Sequence, residues 1–183
     1  PECKFLLNDQ SVSRLSRLKN VIKSFLPSSY RTKIKFSNLN ASTISAYSSF
    51  DKILVDAPCT NDRHSLYVSD NNIFAPKRIN ERVQMPMKQM DLLVNALRCV
   101  KPGGVVVYST CSLSPIQNDG VVHQALLKMS NEADFTVVNV KNALRPLRGI
   151  FELDHSFKYG TQVLPSLPSN FGPMYFAKII KNF

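Results

Sequence analysis

Leu93–Leu113, LVNALRCVKPGGVVVYSTCSL, joins the end of one predicted helix to a predicted strand. Apolar residues recur at helical spacing from Met87 to Val100, and Lys101–Gly104 (KPGG) ends that helix and turns the chain. The β-branched run that follows predicts a buried strand. This strand ends in Ser-Thr-Cys-Ser, so the thiol of Cys111 is flanked by hydroxyl groups.

A second predicted strand ends in a similar way within Ile53–Thr60 (ILVDAPCT). The continuous apolar run from Lys52 to Val55 predicts a strand that is buried on both faces. Pro58 has no amide hydrogen and restricts the residue before it, so the strand ends there and Cys59 follows. The sequence therefore places one cysteine just beyond each of two buried strands.

The remaining segments alternate between strand and helix patterns. We predict strands at Cys3–Asn8, Lys33–Ser37, Phe135–Val140 and Met174–Ile180, helices at Val12–Phe25 and Gln117–Met129, a functional loop or short helix within the polar stretch Asn61–Pro86, and an irregular segment at Asn142–Asn170. This alternation is typical of an α/β fold with a parallel sheet and helices on both faces. Because ligands bind at the carboxyl ends of such strands, Asp9, Asp56, Cys59 and Cys111 are candidates for one shared site.

Composition indicates one compact domain over residues 1–183, with 44% hydrophobic residues and a net charge of +10. No apolar stretch approaches the ~18 residues that a membrane span needs, so we expect no membrane partner. Because the chain begins with Pro1, we expect that this is not the native start. The basic excess favours a polyanionic partner through neutralisation of phosphates, although a basic but inert surface would also account for it.

The four cysteines lie at irregular spacings, without a Cys-x-x-Cys pair or paired histidines. This spacing argues against a zinc site and a secreted disulfide framework, and it favours reduced thiols in an intracellular protein. Cys3 and Cys99 are predicted to be core or neutral residues. For Cys59, a small buried core thiol is the alternative to a functional one. Cys111 is a candidate nucleophile, because a strand end that faces a helix start can stabilise a thiolate.

Two carboxylates follow predicted strands. Asp9 precedes a helix, where it could bind the ribose hydroxyls of a nucleoside-bearing cofactor or cap the free amides of that helix. The sequence pattern leaves both roles open. Asp56 ends a strand predicted to be buried, and a buried carboxylate is costly unless it is paired, so we expect Asp56 to have a partner or a substrate.

Three segments together resemble the Sun-domain family of RNA cytosine-5 methyltransferases: NDQSVSRLSRLKNVI (Asn8–Ile22), FDKILVDAPCTNDRHS (Phe50–Ser65) and LVNALRCVKPGGVVVYSTCSLSPIQND (Leu93–Asp119). A cysteine after Asp-Ala-Pro combined with one after Ser-Thr is far more specific than either alone. LPSNFGPMYFAKI, near the end, also resembles that family. PCTNDRHS and NFGPMYF most resemble the branch that acts on mitochondrial ribosomal RNA.

The resemblance implies a Rossmann-like, S-adenosylmethionine-dependent methyltransferase sheet. It also implies that the first strand and its glycine-rich cofactor loop lie outside this chain, which would be inactive alone. In this chemistry Cys111 attacks carbon 6 of a cytosine, carbon 5 takes the methyl group, and Cys59 helps to release the enzyme. The target must be a flipped or single-stranded base.

The resemblance also implies a set of residues for S-adenosylmethionine. Asp9 would contact the ribose and Arg14 would lie near it. Asn40 and Ala41 stand where the family has an acid-glycine pair at the adenine, and the Asn40 carbonyl can still accept a hydrogen bond there. Asp56 would lie between the cofactor and the base.

The resemblance further implies RNA, namely ribosomal RNA, and a mitochondrial transcription-termination-factor-like protein as partners, together with a mitochondrial location. The candidate phosphate contacts are the basic residues of Asn61–Arg82, namely Arg63, Lys77, Arg78 and Arg82. Two alternatives remain open: a non-catalytic RNA-binding or ribosome-assembly factor on the same fold, and a methyltransferase with another substrate. Both cysteines favour catalysis, because a pure binder needs neither thiol.

Overall fold

The computed structural model describes residues 3–65, 72–166 and 170–183. Its elements in chain order are β1 (Phe5–Asn8), α1 (Val12–Phe25), α2 (Ser28–Arg31), β2 (Ile34–Ser37), β3 (Phe50–Asp56), α3 (Asp62–Ser65), α4 (Ile79–Cys99), β4 (Val100–Thr110), α5 (Asp119–Met129), β5 (Phe135–Val138), β6 (Leu153–Asp154), β7 (Thr161–Val163) and β8 (Met174–Lys181). The chain divides into two compact units, residues 1–45 and 46–183. The single domain indicated by composition therefore stays a prediction.

Parts of two predicted features lie outside the described residues. They are residues 66–71 of the polar stretch Asn61–Pro86 and residues 167–169 of the motif LPSNFGPMYFAKI. The described part of the polar stretch contains the short helix α3, a 3₁₀ turn at Pro76–Arg78 and the start of α4.

The first unit contains a parallel pair of strands, β1 and β2, in which Phe5 lies opposite Ile34 and Asn8 opposite Ser37. Helix α1 has the predicted bounds. It begins after Ser11, whose side chain accepts a hydrogen bond from the Arg14 amide, and it ends before Pro27 because proline cannot continue the helix.

The second unit is built on a mixed sheet. β3 and β4 pair in parallel, and the other edge of β4 pairs with β8 in the antiparallel direction. β8 also pairs antiparallel with β5 and with β7, and β7 pairs with β6. The expectation of a parallel sheet is wrong for β6 and β8, which run opposite to the other strands of this sheet. β4 and β5, which α5 connects, keep the common direction expected of a βαβ unit.

The core of the second unit lies where α4 and α5 cover the central strands. Its largest fully buried apolar residues come from α4, α5, β4 and β8, and include Leu93, Leu97, Val106, Tyr108, Val122, Met129, Tyr175 and Ile179. The predicted KPGG turn is an irregular start of β4. Gly103 has a φ of 74°, and a Cβ on Gly104 would lie 2.9 Å from the Asp51 carbonyl oxygen, so both positions require glycine.

Two predictions about single elements are wrong. β3 has one partly buried face and one open face, with Leu54 69% exposed, so the strand is not buried on both faces. α4 begins at Ile79 rather than Met87 and contains Pro86. Met85 and Gln89 are buried on either side of the proline, and this burial offsets the single helical hydrogen bond that proline removes.

None of the helices in the described part of the chain is long and apolar enough to cross a membrane.

Candidate active site

Two thiols meet at the carboxyl ends of β3 and β4. The parallel register places Asp56 opposite Ser109, and the Ala57 amide continues the ladder by donating to the Ser109 carbonyl at 3.0 Å. A few residues further along each segment, the Sγ atoms of Cys59 and Cys111 lie 3.0 Å apart. The Cys111 amide also donates to the Cys59 sulfur at 3.3 Å. The structure thus brings together the two cysteines that the sequence placed at one sheet edge.

The two thiols differ in acidity. The hydrogen bond from the Cys111 thiol lowers the pKa of Cys59 to about 7 from its ordinary value of 9.0, against the opposing effect of partial burial. Backbone amides of Cys111 and Asn61 lower it further. The same hydrogen bond to Cys59 raises the pKa of Cys111, and burial and the charges of Cys59 and Asp56 act in the same direction. The lowered pKa of Cys59 and the raised pKa of Cys111 favour a thiolate on Cys59 when the pair carries a single proton, whereas the sequence favours the thiolate at Cys111.

A carboxylate and two hydroxyls connect the cysteine-bearing segments. Asp62 accepts hydrogen bonds from the Leu113 amide at 2.6 Å, from the Ser112 hydroxyl at 3.2 Å and from the Thr60 hydroxyl. The hydroxyl oxygens of Thr60 and Ser112 are 2.8 Å apart, and both residues are buried. Sequence reasoning missed this cluster.

Buried side-chain amides support the same two segments from behind. Asn118 accepts from the Thr110 hydroxyl at 2.6 Å and donates to the carbonyl oxygens of Ser112 and of the Gln162 side chain, both at 2.9 Å. Gln117 accepts from the Thr60 amide at 3.2 Å. Because each of these polar groups has little or no contact with solvent, their mutual hydrogen bonds fix the turns that carry the thiols.

Gln89 belongs to this amide cluster and carried a signal in the sequence. Its Nε2 donates to the Pro58 carbonyl at 2.7 Å and to the Gln117 side chain at 3.2 Å. Gln89 lies at helical spacing between Met85 and Leu93, on the buried stripe of α4. A polar residue on an apolar stripe predicts a buried hydrogen-bonding role.

Asp56 does not have the environment predicted for it. Its side chain is exposed at the end of β3, so it avoids the desolvation cost that would have required a partner. Within the described residues, no hydrogen bond or ion pair engages its carboxylate. Its charge nevertheless reaches the thiols, because it contributes to the raised pKa of Cys111.

In the first unit, Asp9 forms a local turn with an ion pair. Its carboxylate accepts from the Ser11 amide at 2.7 Å and from Arg14 Nε at 3.1 and 3.0 Å. Although partial burial raises the pKa of Asp9, the Arg14 hydrogen bond, the Ser11 amide and the nearby positive charges together hold it below its ordinary value. Ser11 caps α1, so the structure assigns the helix cap to Ser11 and leaves lone pairs of Asp9 for other donors.

Asn40 and Ala41 begin a 3₁₀ turn. The Asn40 side-chain oxygen accepts from the Ser42 amide at 3.1 Å and from the Ser42 hydroxyl at 2.9 Å. Both lone pairs of that oxygen are therefore engaged, and the predicted acceptor for an adenine amino group is already used within the chain.

Three of the four candidate phosphate contacts have protein partners. Arg63 donates to the Asn170 side chain at 2.6 Å, and Arg78 pairs with Glu81 at 2.7 Å. Arg82 donates to the carbonyls of Ile73 and Ala75 and lies over the Phe74 ring. Lys77 forms no hydrogen bond or ion pair with another described residue.

Of the other two cysteines, Cys99 is buried, as predicted for a core residue, and Cys3 is exposed. All four cysteines are free thiols. Among the described residues, no three His, Cys, Asp or Glu side chains gather where they could hold a metal ion.

Comparison with known proteins identifies relatives along almost the whole chain. The family described as 16S rRNA methyltransferase RsmB/F matches residues 2–180. The chain is 41% identical to the Xenopus laevis 5-cytosine rRNA methyltransferase NSUN4, with 98% of this chain and 46% of that protein covered. It is 40% identical to Caenorhabditis elegans 5-cytosine rRNA methyltransferase nsun-4, with 97% and 40% covered.

A more distant relative is the mouse mitochondrial tRNA (cytosine(34)-C(5))-methyltransferase, at 35% identity over 96% of this chain and 50% of that protein. The chain thus spans about half the length of the curated relatives that it matches.

Solved structures share the fold. The Pyrococcus horikoshii NSun6 structure with SFG superposes with a TM-score of 0.70 at 21% identity, covering 97% of this chain and 41% of that one. A methyltransferase homolog protein from the same organism gives 0.63 at 27% identity, covering 98% and 53%. These likenesses confirm the α/β methyltransferase fold predicted from the sequence.

Proposed function

The chain belongs to the 16S rRNA methyltransferase RsmB/F family. We propose that it takes part in transferring a methyl group from S-adenosylmethionine to carbon 5 of a cytosine in RNA. The observation that carries this proposal is the pair of free thiols, with Sγ atoms 3.0 Å apart at the ends of two parallel strands. A pure RNA-binding module has no use for two adjacent thiols that share one proton.

The proposed attack begins with a proton transfer within the pair. The thiolate of Cys59 accepts the proton of Cys111 along their hydrogen bond. A lone pair of the Cys111 sulfur then forms a bond to carbon 6 of the cytosine, and the π electrons of the C5=C6 bond shift onto carbon 5. Carbon 5 thereby becomes a nucleophile, which is the purpose of covalent catalysis here.

S-adenosylmethionine, when bound, supplies the methyl group as an electrophile on a sulfonium sulfur. For release, carbon 5 loses its hydrogen as a proton to water, the C5=C6 bond re-forms, and the electron pair of the S–C6 bond returns to Cys111. The Cys59 thiol donates the shared proton to the Cys111 sulfur as the S–C6 bond breaks, so that the sulfur leaves as a thiol and the pair is restored. Cys59 thus acts in both activation and release.

The residues available for S-adenosylmethionine fit it in part. Within the first unit, Asp9 is held by Arg14 and Ser11 but keeps acceptor capacity for ribose hydroxyls. Asn40 fits less well, since Ser42 occupies its side-chain oxygen; a contact at Asn40 or Ala41 would have to use the Asn40 amide group or the backbone.

We further propose ribosomal RNA as the substrate and a mitochondrial location. The relatives named as 5-cytosine rRNA methyltransferases support the first, and the mitochondrial tRNA methyltransferase supports the second. A transcription-termination-factor-like partner is a prediction that rests on the sequence resemblance alone.

The test replaces each thiol in the full-length protein and follows 5-methylcytosine and protein–RNA adducts by mass spectrometry. Cys111→Ala should abolish both. In Cys59→Ala the main cause of the raised Cys111 pKa is gone, so Cys111 can still ionise and attack, but release stalls and a denaturation-resistant adduct accumulates. This adduct should disappear in the double variant.

Cys3→Ala is the matched control, because Cys3 is exposed and lies in the other compact unit. Methylation by Cys111→Ala would refute the assignment of the nucleophile. If adducts disappear in Cys59→Ala and accumulate in Cys111→Ala, then Cys59 is the nucleophile and Cys111 assists release. RNA binding without methylation or adducts in any variant would indicate the non-catalytic assembly factor.

A further inference from the structure

We propose that Asp62 is a positioning residue, which holds the segment after Cys59 and the segment after Cys111 together so that both thiols reach one cytosine. This inference rests on the proposed function for the identity of the substrate. The arrangement of the segments that it explains is a property of the protein alone.

Asp62 first fixes the Cys111 segment from both sides. Its backbone amide donates to the Cys111 carbonyl at 3.2 Å, and its carboxylate accepts from the Leu113 amide at 2.6 Å. One residue therefore holds the peptide groups that precede and follow Ser112. Rotation of this segment, which would swing the Cys111 thiol away, requires both hydrogen bonds to break.

The same carboxylate also holds the Cys59 segment. The hydroxyl of Thr60, the residue directly after Cys59, donates to the other oxygen of Asp62. A hydrogen bond to an ionised acceptor is roughly twice as strong as a neutral one, so a carboxylate is well suited to connect two turns. Asp62 thereby contacts the immediate neighbours of both cysteines.

The backbone at this point is shaped to present Asp62. Asn61 has a φ of 49°, the left-handed region that asparagine tolerates better than most residues, and α3 begins at Asp62. A residue in this conformation costs free energy, which must be offset by the contacts that it permits.

The charge of Asp62 does not explain its presence. Whereas the hydrogen bond from Cys111 lowers the pKa of Cys59, the negative charge of Asp62 raises it. A neutral residue at position 62 would favour the Cys59 thiolate, so the contribution of Asp62 lies in the geometry of the two segments.

The test compares Asp62→Ala and Asp62→Asn in the full-length protein. We expect Asp62→Ala to lower kcat by about 10- to 100-fold with little change in KM for RNA, because misplaced reacting groups slow the chemical step rather than binding. The kcat of Asp62→Asn should lie between those of the wild-type protein and Asp62→Ala, since the asparagine side-chain oxygen can still accept a hydrogen bond from the Leu113 amide. The matched control is Asp154→Ala, which removes a carboxylate that accepts the Ser156 amide outside the site.

A second measurement separates positioning from general stability and from the proposed function. Phenylarsine oxide binds two thiols only when both sulfurs can reach one arsenic atom, and it needs no RNA. Its affinity should fall at least about tenfold in Asp62→Ala and stay unchanged in Asp154→Ala, at temperatures where thermal unfolding shows both to be folded. The proposal would be overturned if Asp62→Ala kept both the wild-type affinity for phenylarsine oxide and the wild-type kcat. It would also be overturned if Asp62→Ala changed only the KM for RNA. If Asp62→Ala loses affinity for phenylarsine oxide but the full-length protein methylates no RNA, the positioning role is supported and the proposed function fails.

Discussion

Replacing Cys111 by alanine should raise the pKa of Cys59, because the largest cause of its lowered value is the hydrogen bond from the Cys111 thiol. With a pKa of about 7, Cys59 is roughly half ionised at pH 7, whereas a thiol at its ordinary value of 9.0 would be about 1% ionised. The fraction of thiolate therefore differs by about 50-fold.

The alkylation rate at neutral pH will change by less than this factor. A more acidic thiolate is a weaker nucleophile, and over two pKa units a Brønsted slope of about 0.4–0.5 reduces its reactivity by roughly 6- to 10-fold. The net rate advantage of Cys59 is thus only about 5- to 8-fold. The midpoint of the pH profile is the more sensitive measurement, since it follows the pKa alone.

The assay is alkylation with iodoacetamide from about pH 5 to about pH 10, resolved by peptide mass spectrometry. Cys59 should react with a midpoint near 7, and Cys111→Ala should move that midpoint upward toward 9.0. Cys111→Ser is the matched variant, because a hydroxyl still donates to the Cys59 sulfur and should keep part of the shift. Exposed Cys3 provides an internal standard in the same digest.

Two results would refute this reasoning about the pair. One is a Cys59 midpoint that equals that of Cys3 in the wild-type protein. The other is a profile in which Cys111 ionises before Cys59, since their hydrogen bond lowers the pKa of Cys59 and raises that of Cys111.

Three further predictions address the cofactor, the RNA and the support of the site. Asp9→Ala should weaken S-adenosylmethionine binding by about 10- to 100-fold in calorimetry while RNA binding stays nearly constant; unchanged cofactor affinity would reduce Asp9 to a turn-forming role. RNA affinity should fall steeply from low to physiological salt, and Lys77→Ala should reduce the slope by about 1; a flat salt dependence would exclude phosphate neutralisation as the main contribution. Asn118→Ala should lower the free energy of unfolding in urea by about 2–5 kcal/mol, because it leaves the buried carbonyl oxygens of Ser112 and Gln162 without their donor; a loss below about 1 kcal/mol would mean that the cluster rearranges.

The meeting of the two thiols could be predicted from the sequence because local patterns determine it. Each cysteine follows a short apolar run within a few residues, and parallel neighbours end at the same edge of a sheet. In the structure Asp56 pairs with Ser109, so β3 and β4 do end at the same edge of the sheet. Which sulfur holds the proton could not be predicted, since it depends on distances of about 3 Å between residues far apart in sequence.

The errors about single elements arose where tertiary packing outweighed a local rule. Pro86 marked a helix boundary by propensity, yet the buried side chains on either side keep α4 continuous. Leu54 belongs to an apolar run but lies on the open face of β3. The opposite direction of β8 has no local signature, because a strand carries the same alternation in either orientation.

The supporting shell was missed because its contacts join distant parts of the chain. Thr60 and Gln117 are 57 residues apart, and Asn118 and Gln162 are 44 apart. Serine, threonine and asparagine near strand ends are also common in ordinary turns, so their types alone do not indicate a buried cluster. Only Gln89, on the apolar stripe of α4, carried a signal of its own.

The asymmetry between the thiols gives a physical reason for having two of them. A lone Cys111 thiolate at a strand end would be open to any electrophile and would need a permanent positive charge to persist at neutral pH. In this pair the hydrogen bond from the Cys111 thiol, followed by the backbone amides of Cys111 and Asn61, lowers the pKa of Cys59, and the same thiol–thiol hydrogen bond raises the pKa of Cys111. In the proposed reaction, a cytosine that enters against Cys111 would meet a thiol whose proton acceptor is already 3.0 Å away, and the same acceptor would hold the proton that returns at release. In the proposed reaction the nucleophile and its proton acceptor are separate sulfurs in contact, an arrangement that two neighbouring parallel strands provide.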